Sequence, residues 1–206
     1  MALTTYSDLQ TSIANYLARS DLTSQIPDFI RLAELRLRRE LRIRQMLKEV
    51  TTTTTAGDST VQLPSDFLQI RDLYIDGNPN YTLDYMTPSV FSRNSRSYES
   101  GLPVNYTILA NDFKFAPTPD SAYTLVMLYY SAPAFLSDTN TTNIWTVNAI
   151  DCLLYASLGE AEPYLMNDAR LQTWAALYAR SVSAITESDD KAEFSASPLV
   201  MRVAAR

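Results

Sequence analysis

The chain has 206 residues, 46% of them hydrophobic and 19% charged, a balance typical of globular proteins, and at this length about 70% of the unfolded surface can be buried without a disulfide or metal staple. It contains no histidine, and its one cysteine is Cys152, which excludes Ser-His-Asp and Cys-His nucleophile pairs and a tetrahedral Cys/His zinc centre. The formal charge of −6 is unevenly spread: eight basic against six acidic residues in 1–49, six against sixteen in 50–190, and three against one in 191–206.

Gly57, Gly77, Gly101 and Gly159 lie too far apart for a phosphate-cradling loop or a dinucleotide fingerprint. A lone cysteine within an apolar stretch is expected in a core and an intracellular setting rather than in a disulfide. No basic residue precedes Arg19 and Asp8 interrupts the opening stretch, so no signal peptide is expected. The most apolar window, Ala122 to Leu136, carries Thr124, Ser131 and Pro133 and is too short to span a bilayer, so a soluble protein without membrane contact is expected.

In chain order, Thr5 with Asp8 three residues on forms a capping-box pair, and Leu9, Ile13, Tyr16 and Leu17 recur at helical spacing, which predicts a helix over 5–18. A second helix follows from Ser24 and Pro27, with Phe29, Ile30, Ala33, Leu37 and Leu41 on one face as far as Leu47. The β-branched run Thr51 to Thr55 ends the helical pattern. Phe67 to Ile75, the turn at Asp76-Gly77 and Tyr81 to Tyr85 predict one hairpin; Tyr106 to Leu109, a turn at Asn111-Asp112 and Phe113 to Phe115 predict another; Tyr123 to Tyr130 adds a strand. Ser92 to Ser100 is polar and aperiodic, hence a loop. Helical spacing returns at Val147, Ile150, Leu154, Leu158 and Ala161 up to Pro163, and again at Leu171, Trp174, Ala175, Tyr178, Val182 and Ile185.

The expected fold is therefore α+β: a four-helix bundle built from both chain ends (1–49 and 134–188), an inserted antiparallel β domain (50–133), and an extended C-terminal arm (189–206).

The densest chemical signal is the series Arg31, Arg36, Arg38, Arg39, Arg42 and Arg44 on the second helix. Three readings stay open: a solvated face with helix pairs such as Glu34 to Arg38 and Glu40 to Arg44, a subunit interface toward acidic surfaces of a neighbour, and phosphate contact. The acidic group Glu187, Asp189 and Asp190 lacks the spacing of a calcium loop and reads as solvated, not as a metal site. Asp72 and Asp76 read as strand alternation at a hairpin end, not as a catalytic carboxylate pair. The many tyrosines and phenylalanines between 67 and 135 sit in an acidic segment, which favours β core and subunit contacts over base stacking. No catalytic residue, cofactor or metal is expected; a regulator, or a soluble nucleic-acid-binding protein, is the alternative function.

Several segments order and space like one family. Leu63-Pro64-Ser65-Asp66-Phe67-Leu68 runs into Tyr74-Ile75-Asp76-Gly77-Asn78-Pro79, followed by Gly101-Leu102-Pro103-Val104-Asn105-Tyr106 and by Phe115-Ala116-Pro117-Thr118-Pro119-Asp120 with Leu128-Tyr129-Tyr130 and Leu136-Ser137. With Leu153-Leu154-Tyr155-Ala156-Ser157-Leu158 and Asn167-Asp168-Ala169-Arg170, the chain resembles tailed-bacteriophage head-to-tail adaptor (connector) proteins of the tail tubular protein A type over about residues 10 to 187. The resemblance implies a structural virion protein of the neck, assembled in the host cytoplasm. It implies a ring of copies, dodecameric as in the family, between the portal protein and the tail nozzle protein, with DNA passing through the lumen without specific binding during genome ejection. It further implies a C-terminal arm that docks on the portal, which in this sequence would use Leu199, Val200, Met201, Arg202 and Arg206.

Overall fold

Thr5 opens the first helix, α1 (Tyr6–Leu17), in the manner its sequence predicts: its hydroxyl accepts the Asp8 N–H at 3.2 Å while the Asp8 carboxylate accepts the Thr5 N–H at 3.1 Å. The same Thr5 hydroxyl donates to Asp8 and holds that carboxyl below its ordinary value. Leu9, Ile13 and Leu17 are buried on one face, and Ala18 closes the helix in the left-handed conformation (φ 53°). These details come from a computed structural model that describes residues 3–94, 99–166 and 169–194.

The second helix, α2 (Ile26–Glu40), stops seven residues short of its expected end. Leu41 is extended (ψ 140°), and Leu41 and Ile43 are both buried, a spacing of two that belongs to extended chain and not to a helical stripe. A 3-10 turn at Arg44–Met46 then leads into the first strand, β1 (Leu47–Thr53).

The chain divides into two compact units, residues 46–132 and residues 1–45 with 133–206. The boundary falls before β1 because Leu47 to Thr53 pair in register with Tyr130 to Thr124. The first unit holds eight strands in two sheets: β1, β2 (Thr60–Gln62), β3 (Phe67–Ile75), β4 (Tyr81–Thr82), β5 (Asp84–Tyr85), β6 (Asn105–Leu109), β7 (Asp112–Ala116) and β8 (Thr124–Ser131). One sheet has the order β1-β8-β3-β4 and is antiparallel; the other has the order β2-β7-β6-β5. β5 runs parallel to β6, so the second sheet is mixed where a wholly antiparallel domain was expected. The cause is local. Residues 81–85, expected as one strand, begin on β3 and cross at buried Leu83 to the other sheet. The predicted β6–β7 hairpin forms, with its turn at Ala110 (φ 54°) and Asn111, one residue before the expected Asn111-Asp112, so that Asp112 opens β7 opposite Leu109. Part of the expected 92–100 loop is helical, since α3 (Pro88–Asn94) carries buried Phe91; residues 95–98 lie outside the described residues.

The sheets share one core of Leu73, Ile75, Leu83, Tyr106, Phe113, Phe115, Leu125, Met127 and Tyr129. Its aromatic rings form a chain of contacts from Phe67 on Tyr129 (centroids 5.7 Å apart) through Phe67 on Phe113 (6.0 Å) and Phe113 on Tyr106 (5.8 Å). The aromatics of this segment are therefore spent largely on packing.

In the helical unit α4 (Ile144–Asn148), α5 (Ile150–Glu160), α6 (Glu162–Leu165) and α7 (Leu171–Phe194) complete seven α-helices among the described residues. Helices from both chain ends meet on α5, against which α1, α2, α4 and α7 all pack. That helix is apolar around most of its circumference, with Cys152, Leu153, Leu154, Ala156, Ser157 and Leu158 buried, as a central helix must be. Burial pushes the Cys152 thiol up to about 12, in keeping with a core residue. Val147, expected on the buried stripe, is 74% exposed, because the Asn143 cap starts a separate short helix that ends at Ala149 (φ −147°). α7 continues to Phe194, so Asp189, expected to begin an extended arm, lies within a helix.

Candidate interaction surface

α2 buries Ile26, Phe29, Ile30, Ala33, Glu34 and Leu37 on one side. Glu34 is the unexpected member. It is 1% exposed, and its carboxylate accepts the Leu136 N–H at 3.1 Å and Asn143 Nδ2 at 2.6 Å. Burial raises its pKa, opposed by those two hydrogen bonds and by the charges of Arg38 and Arg31. The expected surface pair of Glu34 with Arg38 is therefore a buried anchor holding the segment after Pro133 against α2. Arg31 and Arg38 complete the anchor by lying over the Phe135 ring, 3.0 Å and 3.2 Å from its centroid, while Arg38 Nη2 donates to the Pro133 carbonyl.

The remaining arginines divide by partner. Arg36 pairs with Glu40 at 2.9 Å, reaches Glu160 at 3.9 Å, and lies over the Tyr178 ring, whose hydroxyl donates to Glu40. Glu40 is thus held within the unit and not by Arg44. Arg42 Nη1 donates to the Arg38 and Leu41 carbonyls, both at 2.7 Å, and closes the C-terminus of α2. Arg44 offers its backbone N–H to the Asp189 carboxylate at 3.0 Å and its guanidinium to the same group at 3.6 Å. Arg39 Nε donates to the Leu35 carbonyl at 3.1 Å, and its side chain is exposed. Arg36, Arg38, Arg42 and Arg44 therefore brace the helical unit, Arg31 takes part through Phe135 while remaining exposed, and Arg39 is exposed on the face of α2 opposite its core.

Between those two arginines lie Leu32 and Leu35, 45% and 37% exposed. The sequence pattern did not single them out, although the signal was present: both are leucines set off the Phe29, Ile30, Ala33, Leu37 stripe by about half a turn. An apolar pair rimmed by guanidinium groups suits contact with another protein.

Three of the five carboxylates named from the sequence are held in ordinary ways. Glu187 pairs with Lys191 at 3.7 Å, Asp189 with Arg44, and Asp72 accepts the N–H of Leu73 at 2.9 Å. Among the described residues no group of acidic or cysteine side chains could hold a metal ion, and no helix is long and apolar enough to cross a membrane. A cleft of about 670 Å³ opens in the β unit among Leu63, Phe67, Leu68 and Ile108, and its lining holds no ionisable group. Leu199, Val200, Met201, Arg202 and Arg206 lie outside the described residues.

Fold and surface define a two-unit α+β protein that carries on α2 an exposed apolar pair bordered by arginines. The sequence matches the family described as SU10 adaptor protein over residues 4–202. The chain belongs to that family and is a structural phage adaptor of the head-to-tail type. No curated protein matches the sequence.

Proposed function

We propose that this adaptor forms a ring, dodecameric as in the family it resembles, that joins the portal protein to the tail nozzle protein in the neck of the virion and lets the genome pass during ejection. The observation that carries the reading is the family match over residues 4–202. The exposed leucines and arginines of α2 add a surface suited to a neighbouring subunit. Of the arginine series, Arg31 and Arg39 make the intersubunit contact, with Arg36, Arg38, Arg42 and Arg44 bracing the helix that presents them. The arm after Phe194 docks on the portal through Leu199, Val200 and Met201, and Arg202 and Arg206 pair with acidic groups there.

Light scattering of the purified protein with and without portal tests this reading. A ring-sized increment on portal, lost when the chain is ended after Phe194, is the expected result; an unchanged portal complex with the shortened chain would remove the docking role. The channel is expected to leave DNA unbound, since the centre of the chain is acidic. Salt-sensitive micromolar duplex binding, lost on replacing the arginines of residues 31 to 44, would instead favour a nucleic-acid-binding protein.

A further inference from the structure

Two exposed apolar patches carry opposite charge. On α2, Leu32 and Leu35 stand on the solvent face with Arg31 and Arg39 beside them, and neither arginine makes an ion pair among the described residues. The second patch lies where residues 81–85 pass from one sheet to the other. Tyr81 and Tyr85 are 50% and 53% exposed, and Asp84 between them is exposed and makes no ion pair among the described residues. Val104, whose carbonyl accepts the Asp84 N–H at 2.9 Å, is half exposed beside them.

The Tyr85 ring is held in place, and the Tyr81 ring lies near the backbone of Gly77. Tyr85 packs edge-on against buried Tyr106 with centroids 5.6 Å apart, and Tyr81 covers Gly77, where an added Cβ would stand 3.4 Å from the ring. A ring already held by the fold loses little conformational freedom when a partner covers it, which is the property of an aromatic anchor.

We infer that these two patches bind each other between copies of this chain: the Leu32/Leu35 face of one copy meets the Tyr81/Asp84/Tyr85 edge of the next. The inference rests on the ring reading above and names the surface that the arginine helix contacts. Charge selects this pairing. Two α2 patches together would set arginine against arginine, and two β patches would set Asp84 against Asp84 in a unit with nine acidic and five basic residues. Only unlike patches bring Arg31 and Arg39 toward Asp84. A contact between two different surfaces leaves each terminal copy with one free patch, so addition continues until the assembly closes.

Cross-linking decides it. Leu35→Cys and Tyr85→Cys are made in separate chains, mixed, and treated with a short bifunctional maleimide; the native Cys152 is buried and contributes little background. A product of twice the chain mass is expected only in the mixture. It should fall at least tenfold when the first chain also carries Arg39→Glu, and return when the second also carries Asp84→Arg. A dimer from either variant alone would mean like-with-like pairing and would overturn the inference, as would a mixture that gives no product. Electron microscopy of the wild-type protein on portal separates the two levels. Rings without the mixed cross-link dismiss this pairing and keep the ring; absence of rings dismisses both.

Discussion

The β unit and the helical unit fix their parts by different means. In the β unit, backbone ladders set every strand's register: β8 is paired on both sides, to β1 without a slip and to β3 with two irregularities, and the aromatic core then fills the space between sheets. Helices have no such ladder between them, and apolar stripes alone leave them free to slide. In the helical unit, polar contacts between the two chain ends supply the missing register: Glu34 to Leu136 and Asn143, Tyr178 to Glu40, Asp189 to Arg44, Arg170 to the Tyr16 carbonyl, and Arg19 to the Tyr164 carbonyl. A unit assembled from distant segments is thus located by a few specific side chains, whereas the contiguous unit spreads the same task over many backbone bonds.

The sharpest way to test that contrast is to remove one member of each kind. Phe113→Ala deletes a fully buried ring that touches Phe67, Tyr106 and Phe115. A loss of about 4 kcal/mol is expected in urea unfolding, and a loss below about 1 kcal/mol would mean the sheets do not depend on the aromatic chain. Glu34→Ala strips a buried acceptor from the Leu136 N–H and from Asn143. The expected cost is about 3 kcal/mol, with faster amide exchange along 133–143 while β8 stays protected. Equal exposure of both regions would show that the anchor is not local to the helical unit.

How much of this could be read in advance depended on the distance to the partner. The α1 cap was legible because Thr5 and Asp8 are three residues apart, and the β6–β7 hairpin because its turn and alternation lie within a dozen residues. The burial of Glu34, which the sequence offers among other readings as a surface pair with Arg38, is not legible there because its partners are 102 and 109 positions away. The arginine series was visible as a series, but which members remain exposed is decided by Phe135, Glu160, Tyr178 and Asp189, none of them near in sequence. The end of α2 was overrun because Leu41 and Leu47 continue an apolar pattern that changes period between them. Residues 81–85 were read as one strand because nothing in an alternating pentapeptide marks a crossing between sheets.

Asp189→Ala probes the last turns of α7 and should matter less. Arg44 is half exposed, so the ion pair itself adds little; the lost acceptor for the Arg44 N–H is worth about 1 kcal/mol. Ending the chain after Thr186 should cost at least as much, and ending it after Phe194 should leave the melting temperature unchanged. Equal stability of the two shortened chains would show that residues 187–194 do not brace the helical unit.

Glu34→Gln gives the smallest effect and the most specific one. Glutamine keeps the Oε1 acceptor that serves both Leu136 and Asn143, so the change near neutral pH should stay within about 1 kcal/mol. Its signature is in the pH dependence. Burial raises the Glu34 pKa above its ordinary 4.5, so the folded state takes up a proton more readily than the unfolded chain. The resulting stabilisation is fully present below 4.5 and is lost as pH rises through the raised folded value. Glutamine does not titrate. The stability of the wild type minus that of Glu34→Gln should therefore decline as pH increases from about 4.5 and then level off, measured as urea midpoints for both proteins across the same buffers. A difference that stays flat, or grows with pH, would mean that the hydrogen bonds from Leu136 and Asn143, with the nearby charges of Arg38 and Arg31, outweigh burial at this carboxylate.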